Sequence, residues 1–564
     1  MTVESLITQH IDTWTSAVKT KSTSGRGSSK KLELYGVKKL RELILELAVR
    51  GKLVPQDPND EPASVLLERI AAEKVQLIKD KKISKQKKLP NITEDEKLEK
   101  LPEGWQLCRF GELYNLEYGD NLPKTKRSES GEYPVYGSNG IVGSHSEFSV
   151  NKGCVVVGRK GSAGALNKSI TSCWVTDVAY SVTPPTGITL DYCFLHLSTF
   201  GLDTLGKGIK PGLNRNEANI LIACIPPTEE QHRIVAKVDE LMTLCDQLEQ
   251  QTEASIEAHQ LLVSTLLNTL TNSADADELM ENWARISDHF DTLFTTEESI
   301  DQLKQTILQL AVMGKLVPQD PNDEPASVLL ERIAEEKEQL IKEKKIKKQK
   351  VLPPIADNEK PFDLPNGWCF SRLESLSELI TKGSSPKWQG VNYTENSEDV
   401  LFVTSENVGA FKLILDNEKY VEKSFNDIEP RSILKKYDFL MNIVGASIGR
   451  TALFDSNRVA NINQAVCLIR LFPYQIIPEF FLIFFNSRTC ISYMYDKQVD
   501  NARPNLSMGN ISKFLIPIPP IREQKFIVDK VNNLMEICDQ LKLRLKGSQI
   551  TQLHLTDAIV EQAV

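Results

Sequence analysis

Gly201–Gly208 (GLDTLGKG) comes within one residue of a nucleotide-phosphate loop of the form GxxxxGK[ST]. In such a loop the last Ser or Thr holds magnesium. Here Gly208 stands in that place, and a leucine-rich segment rather than an evident strand precedes it, so the segment reads as a glycine loop. Gly158–Gly164 (GRKGSAG) could cradle a phosphate with main-chain N–H groups, but it lacks GxGxxG spacing. His10, His145, His196, His232, His259, His289 and His554 form no cluster. Neither HExxH, nor [DN]PP[YF], nor an H-x-E…CxxC pattern occurs. The chain is therefore expected to catalyse nothing by itself and to hold neither cofactor nor metal. Its ten cysteines are scattered without a CxxC pair, and the N-terminus lacks a basic signal region. That usage fits a reducing cytosol, hence a cytoplasmic protein without disulfides. No apolar run approaches the roughly 18 residues that would cross a bilayer.

The elements that must position any binding residues are written twice. Residues 51–71 and 314–334 both read GKLVPQDPNDEPASVLLERIA. The offset persists to LPEGW (Leu101–Trp105) and LPNGW (Leu364–Trp368). Such a spacing is far longer than the roughly 20–50 residues of a solenoid unit, so a whole module is duplicated. Val37–Val49 has helical periodicity with Leu40, Leu43, Ile44 and Leu47 on one face, and Gly51 is placed to end it. A second helix is expected from near Asp60, with Pro62 in its first turn. Its lysine-rich end, KDKKISKQKK, is either a solvated helix terminus or a DNA-backbone contact. The segment up to residue 36, with its KSTSGRGSSKK stretch, is expected to be flexible.

After each LPxGW the texture turns strand-like and loop-rich, until IPPTEEQ (Ile225–Gln231) or IPPIREQ (Ile518–Gln524). Thr228 and Gln231 have the spacing of a capping box. Long helices then carry matching apolar seams, Ile234, Val238, Leu241, Cys245 and Leu248 in one and Ile527, Val531, Leu534, Cys538 and Leu541 in the other. These seams suggest that the two helices pack against each other as a coiled coil. The expected order is a flexible segment (1–36), helical repeat (37–100), strand-rich block (101–227), long helix (228–271) and linker (272–299). A second helical repeat (300–363), block (364–520) and long helix (521–564) follow. The fold class is α+β. The formal net charge is −9, which argues against strong phosphate binding by the chain alone.

The duplicated arrangement, the LPxGW borders, the PPxxEQ borders with long helices behind them, and the repeated GKLVPQDPNDEPAS together closely resemble the specificity subunit of type I restriction-modification enzymes. The resemblance covers the chain from about residue 37 to its end. It implies two target-recognition domains held apart by antiparallel helices and reading a two-part, asymmetric double-stranded DNA site. It implies two modification subunits carrying S-adenosylmethionine chemistry and, in a restriction complex, two restriction subunits carrying ATP and Mg chemistry. Two other classes stay open at this point, a coiled-coil scaffold that does not read DNA and an enzyme whose site is not evident.

Reading base edges in a duplex needs hydrogen-bond donors and acceptors, mainly from Arg, Lys, Asn, Gln and Ser. The first block offers Lys124, Lys126 and Arg127 in NLPKTKRSESG, and Tyr136 and Asn139 in PVYGSNGIVG. Arg159 and Lys160 follow in GRKGSAG, then Lys210 and Asn214 in KGIKPGLN. The second block offers Lys382, Ser385, Lys387 and Trp388 in TKGSSPKWQG, and Ser405 and Asn407 in VTSENVG. Ser447 and Arg450 lie in GASIGR, Asn463 and Gln464 in NINQAV, and Arg503 and Asn505 in ARPNLS.

Overall fold

The computed structural model describes residues 3–22, 30–80, 83, 88–96, 101–205, 212–346, 352–473, 476–496 and 506–564. Most of the lysine-rich run after Lys79, the end of the Gly201–Gly208 loop, and the candidates Lys210, Arg503 and Asn505 lie outside the described residues. The chain forms two compact units, one of residues 1–255 with 548–564, the other of residues 256–547. Each unit thus holds the start of one long helix and the end of the other.

In the first unit the repeated segment opens with the helix Tyr35–Val49, whose Val37, Leu40, Leu43, Ile44 and Leu47 are buried as the periodicity requires. Gly51 ends it at φ 65°, and the Lys52 N–H donates to the Leu47 carbonyl at 2.9 Å. Only glycine suits this position. Its φ lies in the left-handed region, and a Cβ would stand 2.5 Å from the Pro102 ring. The next helix is Ala63–Lys79, three residues later than the sequence suggests. The difference has a local cause. Asp57 accepts from the Asn59 N–H, holding the proline-rich stretch as a turn, and Pro62 caps the helix while the Ala63 N–H donates to Gly104. The segment expected to be flexible carries helices Val3–Gln9 and Ile11–Ser16 and the strand pair Lys19–Ser22 with Lys30–Glu33. Trp14 is fully buried there, with its main chain against Gly36. An apolar tryptophan outweighs the polar composition around it.

The long helices are Thr228–Asn272, of 45 residues, and Ile521–Ala563, of 43. At about 1.5 Å per residue each spans roughly 65 Å. The capping box is not made. Thr228 Oγ1 donates to the Gly187 carbonyl, and the Gln231 side chain donates to the Pro226 carbonyl. Gln524 makes the same bond to Pro519 at 3.1 Å, so the second helix starts in the same way without a threonine.

Within the first unit, Arg41 pairs with Asp246 and Glu249, whereas Gln56 and Asp60 further along reach Glu230 and Arg233. The start of the first long helix therefore runs opposite to the repeat helix. The end of the second long helix runs with it, since Tyr35 bonds Asp557 and Lys52 bonds the Val564 carbonyl. The two long-helix segments of this unit are antiparallel. The second unit repeats the plan on the helix Glu297–Val312. Lys304 pairs with Asp539, Gln319 with Glu523, Gln260 with Glu298, and Lys315 donates to the Thr271 and Ser273 carbonyls at 2.9 Å. The two matching seams each find partners within their own half of the molecule. They fall in different units. Ile527, Val531 and Cys538 are buried with Leu303, Ile307 and Leu310 of the repeat helix and with Val263, Leu267 and Leu270 from the end of the first long helix. The stretch expected as a linker contains the helices Ala276–Asp288 and Phe290–Leu293, with Ile286 and Leu293 buried.

Each strand-rich block is closed at its base by its own borders. Gln106–Arg109 pairs antiparallel with Ile222–Ile225, and Cys369–Arg372 with Leu515–Ile518. The four-stranded sheet of the first block runs Glu117–Tyr118, Ala179–Val182, Cys154–Gly158, Leu166–Ser169. That of the second runs Ser377–Lys382, Val466–Leu471, Asp438–Asn442, Thr451–Phe454. The succession in the chain is the same in both. A second sheet in each block contains one parallel pair, Tyr133–Gly137 with Trp174–Val175 and Val400–Val403 with Ala460–Ile462. The fold is thus α+β, with two strand-rich domains and two long helices.

Candidate nucleic-acid interface

Three repeated motifs converge on one carboxylate in each unit. Trp105 Nε1 donates to Glu230 Oε2 at 3.0 Å, and Gln56 Nε2 donates to Oε1 at 3.2 Å. Trp368 and Gln319 donate to Glu523 at 2.9 and 3.1 Å. Both glutamates are buried, and burial raises their pKa while the two donors pull it down. The LPxGW, PPxxEQ and GKLVPQDPNDEP letters therefore form one joint, which ties the base of each block to its long helix. Beside each joint an arginine of the border strand holds an upstream glutamate, Arg109 with Glu96 and Arg372 with Glu359. The Arg109 bonds push Glu96 down to about 2.

At the far ends of the strands the candidate residues are gathered differently in the two blocks. In the second, buried Asn442 donates to the Ser405 carbonyl at 2.9 Å and to Ser447 Oγ at 3.2 Å, while its N–H bonds the Arg450 carbonyl. The Asn463 N–H donates to Val403, and Gly383 rests on Ile462, where a Cβ would stand 1.9 Å from the carbonyl. Lys382 at the end of its strand and Ser405, Ser447, Arg450, Asn463 and Gln464 on the loops are thus brought to one end of the sheets. Ser385, Lys387 and Trp388 sit on the neighbouring turn, with Trp388 74% exposed between polar residues. Asn407 departs from the others. It is 5% exposed, accepts from Thr404 and donates to the Ile414 and Asn417 carbonyls, so its amide is spent inside the block.

In the first block the turn at Ser138–Asn139 packs on the loop after Gly158, where a Cβ would meet the Ser138 carbonyl at 2.4 Å. Arg159 and Lys160 both donate their N–H to Val178, and the Leu213 N–H donates to Arg159. Asn139, Arg159, Lys160 and Asn214 are so assembled, although Asn214 also caps the short helix Arg215–Asn219. Lys124 and Lys126 are exposed on a single turn. Arg127 spends its guanidinium on the Leu122 carbonyl, and Tyr136 is 7% exposed. These two brace the loops. Sequence reasoning missed Asn442, whose only signal is a polar letter ending the apolar run DFLMN. It also missed Tyr118 and Arg215, which are neighbours only through the fold.

Among the described residues no group of His, Cys, Asp and Glu is arranged to hold a metal, and no helix is long and apolar enough to cross a membrane. The family described as type I restriction modification DNA specificity domain matches residues 102–258 and 365–548. The type I restriction enzyme EcoAI specificity subunit of Escherichia coli is 41% identical, and the EcoEI specificity subunit of Escherichia coli 40%, each over 100% of this chain and of its own length. A solved chain described under the structural basis of complex assembly and conformational transition of the type I R-M system aligns at TM-score 0.48. It is 16% identical, and the alignment covers 83% of this chain and 99% of that one. The full-length matches leave the scaffold and free-standing-enzyme readings without support. The chain belongs to the type I restriction-modification specificity family and is a non-catalytic subunit that recognises DNA sequence.

Proposed function

We propose that each strand-rich block reads one half of a two-part, asymmetric duplex site and directs the chemistry of partner subunits to it. The observation that carries this reading is the contrast inside each block. Borders and sheet order are common to both blocks, while the residues presented at the strand ends differ. Shared framework with different loop chemistry suits two readers of two different sequences. Direct contacts fall to the exposed groups, Lys124, Lys126, Asn139 and Lys160 in the first block and Lys382, Lys387, Trp388 and Arg450 in the second. Asn407, Arg127 and Tyr136 shape the loops instead.

The blocks hold equal numbers of acidic and basic residues, and the whole chain is acidic, so tight binding calls for partners. Two docking surfaces related by the internal repeat would take two modification subunits carrying S-adenosylmethionine, and a restriction complex would add two subunits using ATP and Mg. All would meet in the cytoplasm. The test is exchange of the segment between Trp105 and Pro226 for that of another family member, read by sequencing methylated DNA. One half of the methylated motif should change and the other stay. Change in both halves would overturn the reading. A stable one-to-one complex by light scattering in excess modification subunit would overturn the stoichiometry.

A further inference from the structure

In the first block two arginines stack on one tyrosine. The guanidinium carbon of Arg159 lies 4.8 Å from the centre of the Tyr118 ring, and that of Arg215 lies 5.2 Å from it. Tyr180 lies alongside, its ring 5.0 Å from that of Tyr118 and 5.8 Å from Arg159. Tyr118 is half exposed, at the edge of the four-stranded sheet. Each guanidinium is tethered by Nη1 to a main-chain carbonyl, Arg159 to Asp177 and Arg215 to Leu116. Among the described residues neither has a carboxylate partner. Elsewhere in this acidic chain Arg109 holds Glu96, Arg458 holds Glu418 and Arg470 holds Asp438. Aromatic stacking fixes the planes of the two cations but neutralises neither of them.

We propose that Tyr118, Arg159 and Arg215 form a clamp for the DNA backbone, holding one or two successive phosphates of the half-site read by the first block. The inference rests on the reading of the blocks as DNA readers and deepens it by assigning this cluster to phosphate rather than to base edges. Two like charges held on one ring call for a ligand with full negative charge. A phosphodiester carries that charge, whereas a base edge offers only partial charges. The tethers also draw both side chains back to the sheet edge instead of leaving them extended into a groove. Among the described residues the second block has no such cluster. The residue paired with Tyr180 on the edge strand is Tyr118, and its counterpart opposite Cys467 is Lys382, a single flexible cation. In place of Arg159, the first residue after the neighbouring strand is Ile443.

The test uses the full chain assembled with its modification partner. Binding is measured over a range of salt concentrations to a duplex carrying the methylated motif and to one with both half-sites scrambled. Arg215→Ala and Tyr118→Leu should weaken binding to both duplexes by a similar factor, roughly 3- to 30-fold. Arg215→Ala should also make the slope of log affinity against log salt shallower by about 1. Tyr118→Phe, which keeps the ring, should bind as the parent does. Relaxed base preference at the first half-site would overturn the proposal by making the cluster a base reader. Unchanged affinity and slope in variants with the parent's melting curve would overturn it outright. If the parent complex itself did not distinguish the two duplexes, the DNA-reading proposal would fail, and with it this one.

Discussion

The bases of the two blocks are nearly superposable in their chemistry, and their far ends are not. At the base, the tryptophan, glutamine and glutamate of one joint repeat in the other with hydrogen-bond lengths that differ by 0.1 Å. At the far end the first block is finished with two arginines on a tyrosine, the second with a buried asparagine that ties two loops together. The contrast teaches where each kind of constraint acts. The joint is a buried polar network in which every partner must be present, so its letters repeat. The inner strands of the sheets are buried on both faces and require mainly short apolar runs, so very different sequences reach one strand order. The loops at the strand ends are free of both constraints and can diverge.

The largest expected effect tests the equivalence of the joints. Glu230→Ala and Glu523→Ala each orphan a buried indole N–H, while the glutamine amides keep the Gly51 and Gly314 carbonyls, so each should cost about 1–3 kcal/mol of stability. Denaturant unfolding of the full chain should register similar losses. A large loss from one variant and none from the other would show that the two joints are not doing the same job.

A pH difference between the blocks comes next. His196 is buried in the first block, its Nδ1 3.0 Å from the Tyr114 hydroxyl, and burial pushes its pKa down to about 3. Residues 364–520 contain no histidine. The unfolded side chain titrates near about 6.5, so between that pH and about 3 the unfolded chain binds an extra proton. Stability of the first block is therefore complete above about 6.5 and falls as the pH drops, by up to about 1.4 kcal/mol per unit. Glu230 and Glu523, whose pKa values are raised, take up protons more readily when folded and so add stability on acidification. They do so in both units, and the comparison cancels them. Hydrogen exchange at pH 7 and pH 5, corrected for intrinsic rates, should find about 2 kcal/mol lost in the first block alone. Equal losses in both would sink the assignment to His196.

At the far ends, Arg450→Ala should lower binding to the second half-site by about 1–3 kcal/mol while leaving preference at the first intact. Affinity lost with base preference unchanged would demote Arg450 to a backbone contact. Much of the base was legible in the letters, because a long period, glycines placed to end helices and matched borders all leave local marks. The start of the helix after Asp60 was misjudged because the Ala63 bond to Gly104 is made across the fold. The capping threonine was misjudged because Gly187 competes for it. The Tyr118 stack left no mark at all, since its arginines come from a strand end and a helix start far apart in the chain.

The smallest expected effect concerns the charges that separate one unit from the other. In the first unit Arg41 of the repeat helix faces Asp246 and Glu249 of its long helix. In the second, Lys304 faces Asp539, but the next pair is reversed, with Asp301 on the repeat helix and Lys542 on the long helix. Were the long-helix starts exchanged between repeat helices, Lys542 would approach Arg41, and Glu249 would approach Asp301. The buried seams match so closely that they cannot refuse this exchange, whereas the charges can. Repulsion in the wrong pairing discriminates even where attraction in the right one is weak. The pairs are exposed to solvent, so each is worth only about 0.2–1 kcal/mol. Lys542→Glu should destabilise the chain by about that much, and adding Asp301→Lys should restore most of it. A double-mutant cycle by denaturant unfolding measures the coupling. A coupling near zero would leave the reversed pair without a role in keeping the two nearly identical seams apart.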